Sequence, residues 1–333
     1  MTSLSTMSFI VLVLLALASG APAAEPRTLV VAADGSGDFA SVQSAVDAVP
    51  EKNDRPVVLV IKPGTYKEKL TVPKGKRFIT FRGDADDPAR VVLTYDLSAK
   101  SVVPPSTQPV GTSGSASVNI AADDFSAENV TFENSAGNVG QAVAIKIVSD
   151  RVVFRNCRFL GWQDTLYPGG GRVYFDRCYV EGRTDFIFGK STAVFDRCTI
   201  HSKNGGFVTA ANTPPEKPFG FVFLDCDLTG EGEPAYLGRP WQWDRGSSSA
   251  VAFIRCRMGP HVRPEGWNPW DLKDKPNTDP ASVTRYYEYA CTGPGADRAK
   301  RVTWAKELSD DQAKQYTVQN VLGGEDGWSP AKK

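Results

Sequence analysis

The chain has 333 residues, 41% hydrophobic and 23% charged, with 38 basic against 38 acidic side chains and a formal charge of zero. That apolar fraction with that balance excludes a disordered chain, and 30 Gly with 23 Pro but no strict triplet exclude collagen. A nucleic-acid partner would call for a basic excess, and two histidines leave little room for a His-rich metal site.

Residues 1–24 carry no charge, and Phe9 to Ala18 is wholly apolar. The run is too short to span ~30 Å of hydrocarbon. Small residues follow it, so it reads as a secretory signal cut near Ala23 or Ala24. Export and no membrane partner after cleavage are therefore expected, with residues 25–333 as one domain. Thr28 to Ala33 reads as a first strand. Phe39 to Val49 has apolar residues at helical spacing, with Asp38 as N-cap and Pro50 as stop.

The centre of the chain is a repeat. Five segments share one frame: Phe154-Arg-Asn-Cys157, Phe175-Asp-Arg-Cys178, Phe195-Asp-Arg-Cys198, Phe223-Leu-Asp-Cys226 and Phe253-Ile-Arg-Cys256. Glu128-Asn-Val-Thr-Phe132 fits the frame with Val130 in place of Cys. The cysteine intervals, 21, 20, 28, 30 and 35 up to Cys291, are those of a solenoid. Apolar and polar residues alternate within each unit, so each is a short strand with one buried face. The fold expected is all-β, a single-stranded right-handed parallel β-helix. The Phe39–Val49 helix would close its N-terminal end. The C-terminal loops and a short helix over Leu308 to Tyr316, begun near Ser309, would pack on its side. The cysteines stack inside the core, or adjacent coils are bridged, with Cys178–Cys198 the first candidate pair.

Two aspartates keep the same offset in this frame. Asp164 lies seven residues after Cys157 and Asp185 seven after Cys178. Equal offsets place them one coil apart, with backbones ~5 Å from each other. Carboxylates that close do not ionise independently, which suits an acid beside a base or nucleophile. A stacked pair bonded to turn amides has the same spacing. Gln141 and Gln163, 22 residues apart, form an oxyanion site or a structural amide ladder. Arg239 is a candidate partner for one carboxylate, and Trp241 a binding platform or a cover for the solenoid. His201 and His261 lack a triad context and are expected on loops or the surface. No Gly-x-Ser-x-Gly elbow is present.

Five ordered segments match a known family: Gly64-Thr-Tyr-Lys-Glu68, Gln141-Ala-Val-Ala-Ile145, Gln163-Asp-Thr-Leu166, Asp185-Phe-Ile-Phe-Gly189 and Leu237-Gly-Arg-Pro-Trp241. Through them the chain resembles the pectin methylesterases, from about Leu29 to Trp328. Ile145, where the family usually has Leu, is the one departure. The resemblance implies a β-helix with an open cleft, hydrolysing C6 methyl esters of galacturonate units in pectin. It implies Asp185 as nucleophile and Asp164 as general acid, then base. It implies Gln141 and Gln163 as oxyanion donors, and Arg239 as the group orienting Asp185. Trp241 and Trp267 would stack on sugar rings, with Phe188 and Tyr66 as further substrate contacts. No metal or cofactor is expected, methyl-esterified pectin is the expected partner, and the enzyme is expected to act as a monomer. Loop Val102–Ser117 is expected to border the cleft. A relative acting on an acetyl ester or thioester, or a pectin-binding β-helix without activity, is the alternative.

Overall fold

The repeated frame is a corner of the coil. In each repeat one strand ends, a single residue takes a left-handed backbone, and the next strand follows the cysteine position. Those hinge residues are Asn129, Asn156, Arg177, Arg197, Asp225, Arg255 and Ala290, all with φ between 47° and 58°. A left-handed residue other than glycine costs roughly 1–2 kcal/mol. The parallel ladders formed on either side of each hinge offset that strain.

The computed structural model describes residues 25–241, 246, 248–270 and 279–332; the leader expected over residues 1–24 lies outside them. Its strands form two parallel sheets of 11 and 13 members. The larger sheet covers two sides of the coil, because the long strands Tyr179–Gly189 and Thr199–Ala211 pair first on one side and then on the other. The architecture is a right-handed parallel β-helix, as the repeat indicates.

In-register stacking turns the frame into ladders. Phe154, Phe175, Phe195, Phe223 and Phe253 occupy paired positions on successive strands. Their rings stack at 4.5–5.2 Å with interplanar angles of 3–13°. The cysteines form a second ladder and all six are free, so the core-stack reading holds and the Cys178–Cys198 bridge is corrected. In a parallel, in-register ladder the Cβ atoms point the same way at the ~4.8 Å strand spacing. A disulfide needs Cβ atoms about 3.5–4.5 Å apart. Instead each thiol from Cys178 to Cys291 donates to a carbonyl one coil back, such as Cys198 to Phe175 at 3.5 Å and Cys226 to Phe195 at 3.2 Å.

The N-terminal helix is Val42–Asp47, shorter than the expected span, with Val42, Ala45 and Val46 buried. Ser41, not Asp38, caps it. The Asp38 carboxylate is engaged elsewhere, accepting from the Val30 amide at 2.8 Å. Glu68 accepts from the Val42 and Gln43 amides at 2.8 and 2.9 Å, placing a negative charge at the positive end of the helix. At the other end of the chain, Ser309 forms a capping box for the helix Asp310–Ala313. A second helix, Val318–Leu322, follows. Leu308, Ala313, Val321 and Leu322 cluster with Val153, Tyr174, Val194 and Val222. These last four are the outward row of the smaller sheet. The C-terminal segment therefore packs along the side of the solenoid, and its strands are apolar on both faces because both are covered.

Candidate active site

The carboxylates are placed by backbone pairing. Gln141 pairs with Gln163 and Gln163 with Thr184, and the Asp164 amide donates to the Thr184 carbonyl at 3.0 Å. Asp164 and Asp185 thus occupy matching points on neighbouring coils. Both have left-handed backbones, with φ of 65° and 50°. The register of Tyr179–Gly189 against Thr199–Ala211 slips on both sides of Thr184. Such irregularities re-aim side chains at functional sites. The tight path also needs Gly182, where a Cβ would meet Phe186 Cβ at 2.2 Å.

Asp164, Asp185, Gln141, Gln163 and Arg239 line one open cleft of about 780 Å³. Arg239 binds Asp185 through two parallel hydrogen bonds, Nε to Oδ1 at 2.8 Å and Nη2 to Oδ2 at 2.6 Å. A guanidinium matches a carboxylate best in this geometry. Asp185 and Asp164 are only 6% and 7% exposed. Burial holds Asp164 well above the ordinary carboxylic-acid value, and the Asp185 charge adds to it. Asp185 is also raised by burial, against the pull of its Arg239 hydrogen bonds and charge. Arg239 pulls both acids down, but it is hydrogen-bonded only to Asp185, and the Asp185 charge pushes Asp164 up. Asp185 is the first to ionise, and its charge then helps to keep the proton on Asp164.

Around this centre the cleft wall is aromatic. Tyr167 stacks on Phe188 at 4.3 Å, and Phe188 lies 5.7 Å from Trp241. Val110, Gly111, Thr112 and Ser113 also line the cleft, so the loop over Val102–Ser117 does border it. Two expected substrate contacts are corrected. Tyr66 is 4% exposed, because it points inward from the strand Gly64–Lys67, and its hydroxyl donates to the Lys62 carbonyl at 2.9 Å. Trp267 is 1% exposed. It pairs with the inward line at Gly238, stacks on Tyr286 at 4.1 Å and donates to Glu288 at 3.3 Å.

Trp270 reaches the cleft instead, and sequence reading missed it together with Tyr167. The signal for Tyr167 was alternation: Ile145, Leu166 and Ile187 face inward, so Lys146, Tyr167 and Phe188 face out. The expectation of loop or surface positions for the histidines is met in part: His201 is half-buried, and His261 sits in a turn but is not exposed. His201 lies in the strand Thr199–Ala211 and hydrogen-bonds Thr229 at 2.9 Å. His261 is buried, which with the nearby His201 pushes it down to about 4.

Comparison with known proteins gives the family. A family model described as Pectinesterase matches residues 28–325. Pectinesterase 31 of Arabidopsis thaliana is 44% identical over 309 residues, spanning 91% of this chain and 94% of that protein. A pectin methylesterase from carrot superposes with a TM-score of 0.81 at 33% identity, over 92% of this chain and 96% of that one. A pectin methylesterase in complex with a hexasaccharide gives 0.81 at 28% identity, over 93% of this chain and 100% of that one. The chain belongs to the pectinesterase family and is a carboxylic ester hydrolase.

Proposed function

We propose that this enzyme removes the C6 methyl esters of pectin through a covalent intermediate on Asp185. The observation that carries the mechanism is the asymmetric pair of buried acids, with Asp185 held by Arg239 in two hydrogen bonds and Asp164 pushed toward its protonated form by burial and by the Asp185 charge. An Asp185 oxygen attacks the ester carbonyl carbon, and the carbonyl electron pair moves onto oxygen. Gln141 and Gln163 donate their amide hydrogens to that oxyanion. The oxyanion collapses, the C–O bond to the methoxy group breaks, and Asp164 gives its proton to the leaving methanol. This leaves a mixed anhydride on Asp185 and a carboxylate on Asp164. Asp164 then takes a proton from water, whose hydroxide attacks the sugar acyl carbon. The bond from that carbon to the Asp185 oxygen breaks, Asp185 leaves as the restored anion, Asp164 keeps the proton taken from water, and the galacturonic acid departs and releases its own proton to solvent.

The aromatic wall of Tyr167, Phe188, Trp241 and Trp270 suits the apolar faces of sugar rings. One chain supplies all these cleft residues, which supports action as a monomer. The apolar run from Phe9 to Ala18 supports export to the compartment that holds the polymer.

The reading is tested by incubating highly methylated pectin, acetylated pectin and a thioester with the enzyme. Methanol release without new reducing ends or unsaturated products is expected. Faster turnover of either other ester would overturn the substrate assignment. Removing one oxyanion donor typically costs about 10²–10³ in rate. Gln163→Ala is accordingly expected to lower kcat by roughly that factor with little change in melting temperature. An unchanged kcat would return Gln163 to a structural amide ladder.

A further inference from the structure

The line of outward side chains that begins with Gln141 and Gln163 does not stop at the carboxylates. Thr184 pairs with Phe207, and Phe207 with Tyr236. The residues on the next two coils are thus aromatic, and neither is among those lining the cleft. The Arg239 guanidinium lies 3.9 Å from the Phe207 ring centroid and 3.7 Å from that of Trp270. Tyr236 stacks behind Phe207 at 5.5 Å and 10°, and the Arg263 guanidinium lies 5.0 Å from the Tyr236 ring. Five planar groups therefore form one column: Trp270, Arg239, Phe207, Tyr236 and Arg263.

This column is built at a cost. Trp270 has a left-handed backbone, φ 61°, which is rare for a bulky side chain. Its amide is held by the Asn268 side chain at 2.8 Å. Strain of this kind persists only where surrounding contacts over-determine it. Its effect here is to swing the ring away from the inward row of Trp267 and onto the guanidinium.

We propose that Phe207 and Trp270 are positioning residues that clamp Arg239 between their ring faces. The clamp fixes the plane in which Arg239 meets Asp185. An arginine has several rotatable bonds, and its plane must be set for both hydrogen bonds to Asp185 to form together. Ring faces on both sides restrict that plane and displace water that would compete for the guanidinium hydrogens. Trp270 closes the cleft side, whereas Phe207 acts from behind and Tyr236 buttresses it. This inference rests on the proposed role of Arg239 in holding the Asp185 nucleophile.

Phe207 is the informative position because it does not line the cleft. The charged and titratable groups facing Asp185 are Asp164, Arg239 and the buried Tyr286; changing Phe207 replaces none of them, and of the three only Arg239 touches its ring. The experiment measures kcat, KM and the pH profile of methanol release for Phe207→Leu, Phe207→Tyr, Arg239→Gln and the double variant Phe207→Leu/Arg239→Gln.

Leucine keeps the site apolar but has no ring face, so kcat is expected to fall roughly 10- to 30-fold with KM within about twofold. The acid limb should move to higher pH, since a loosened Arg239 stabilises the Asp185 anion less. Tyrosine keeps the ring face and should recover most of the loss. Phe207→Leu should add less than about twofold to the defect of Arg239→Gln, because the two act as one unit. Full activity and an unmoved acid limb in Phe207→Leu, with Arg239→Gln impaired, would overturn the clamp and leave the mechanism standing. Equal losses in the leucine and tyrosine variants would also overturn it, as would full additivity. An active Arg239→Gln enzyme would instead sink the underlying role of Arg239. Should Phe207→Leu fail to fold, Phe207→Met makes the same comparison.

Discussion

Asp185→Asn is expected to abolish methanol release, with kcat falling by at least about 10⁴-fold, while the melting temperature stays within a few degrees. The amide has nearly the shape of the carboxylate but is a far weaker nucleophile, and it gives Arg239 only one good acceptor. The loss should appear in kcat, because the aromatic wall that would bind the sugar is untouched. Burst kinetics add a second check. Wild-type enzyme mixed with substrate in single turnover should form an acyl adduct at Asp185, seen as a mass increase on its peptide after acid quench. Near-normal turnover by a folded Asp185→Asn protein would remove the nucleophile assignment. So would an adduct found at Asp164.

Asp164→Asn carries the second large effect, and it splits activity from stability. Methoxide is a poor leaving group, so loss of its proton donor is expected to lower kcat by roughly 10²–10⁴. The alkaline limb of the pH profile should vanish with it, because that limb reports Asp164 losing its proton. Stability should move the other way. Burial and the Asp185 charge raise the Asp164 pKa in the folded state, so the folded protein holds a proton that the unfolded chain releases at about pH 4. The stability tied to that proton is present below the unfolded value and is lost as pH climbs through the folded one. Asparagine is neutral throughout. The variant should therefore melt higher than wild type at neutral and alkaline pH, with the gap closing toward pH 4. A variant that melts lower at pH 8 would contradict the raised value of Asp164. An alkaline limb that survives would assign the acid elsewhere.

The solenoid and the acid pair were legible in the sequence because both follow from one spacing. Cys157 and Cys178 mark the same point on two coils, and seven residues later Asp164 and Asp185 must match as well. The cysteine arrangement was legible only as a choice. The strand spacing decides it, since parallel Cβ vectors one coil apart do not approach closely enough for a disulfide.

What escaped the sequence reading was side-chain direction beyond the repeat. Trp267 and Trp270 are three residues apart in a Pro-rich stretch without alternation, and only the left-handed backbone of Trp270 decides which ring reaches the cleft. Tyr66 lies in a recognised motif, yet its inward direction follows from the pairing of Gly64–Lys67 with Val91–Tyr95, which no local pattern reveals. Asp38 and Ser41 are both good caps, and the Val30 amide settles the matter by engaging Asp38. The Arg239 sandwich joins three residues separated by more than 30 positions each, apart in sequence and adjacent only through the coil.

The single-residue hinges have a consequence for how such a protein can diversify. The stretch from Phe154 to Cys157 has the same length as those ending at Cys178, Cys198, Cys226 and Cys256, although the intervals between cysteines range from 20 to 30 residues across these repeats. All the added length leaves the coil at its other two edges, one of which carries the cleft. A residue inserted at a hinge would turn the inward face of the following strand outward. Residues inserted at the cleft edge only lengthen a wall. Evolution of substrate pattern and preservation of the scaffold are thus assigned to different edges of the same coil.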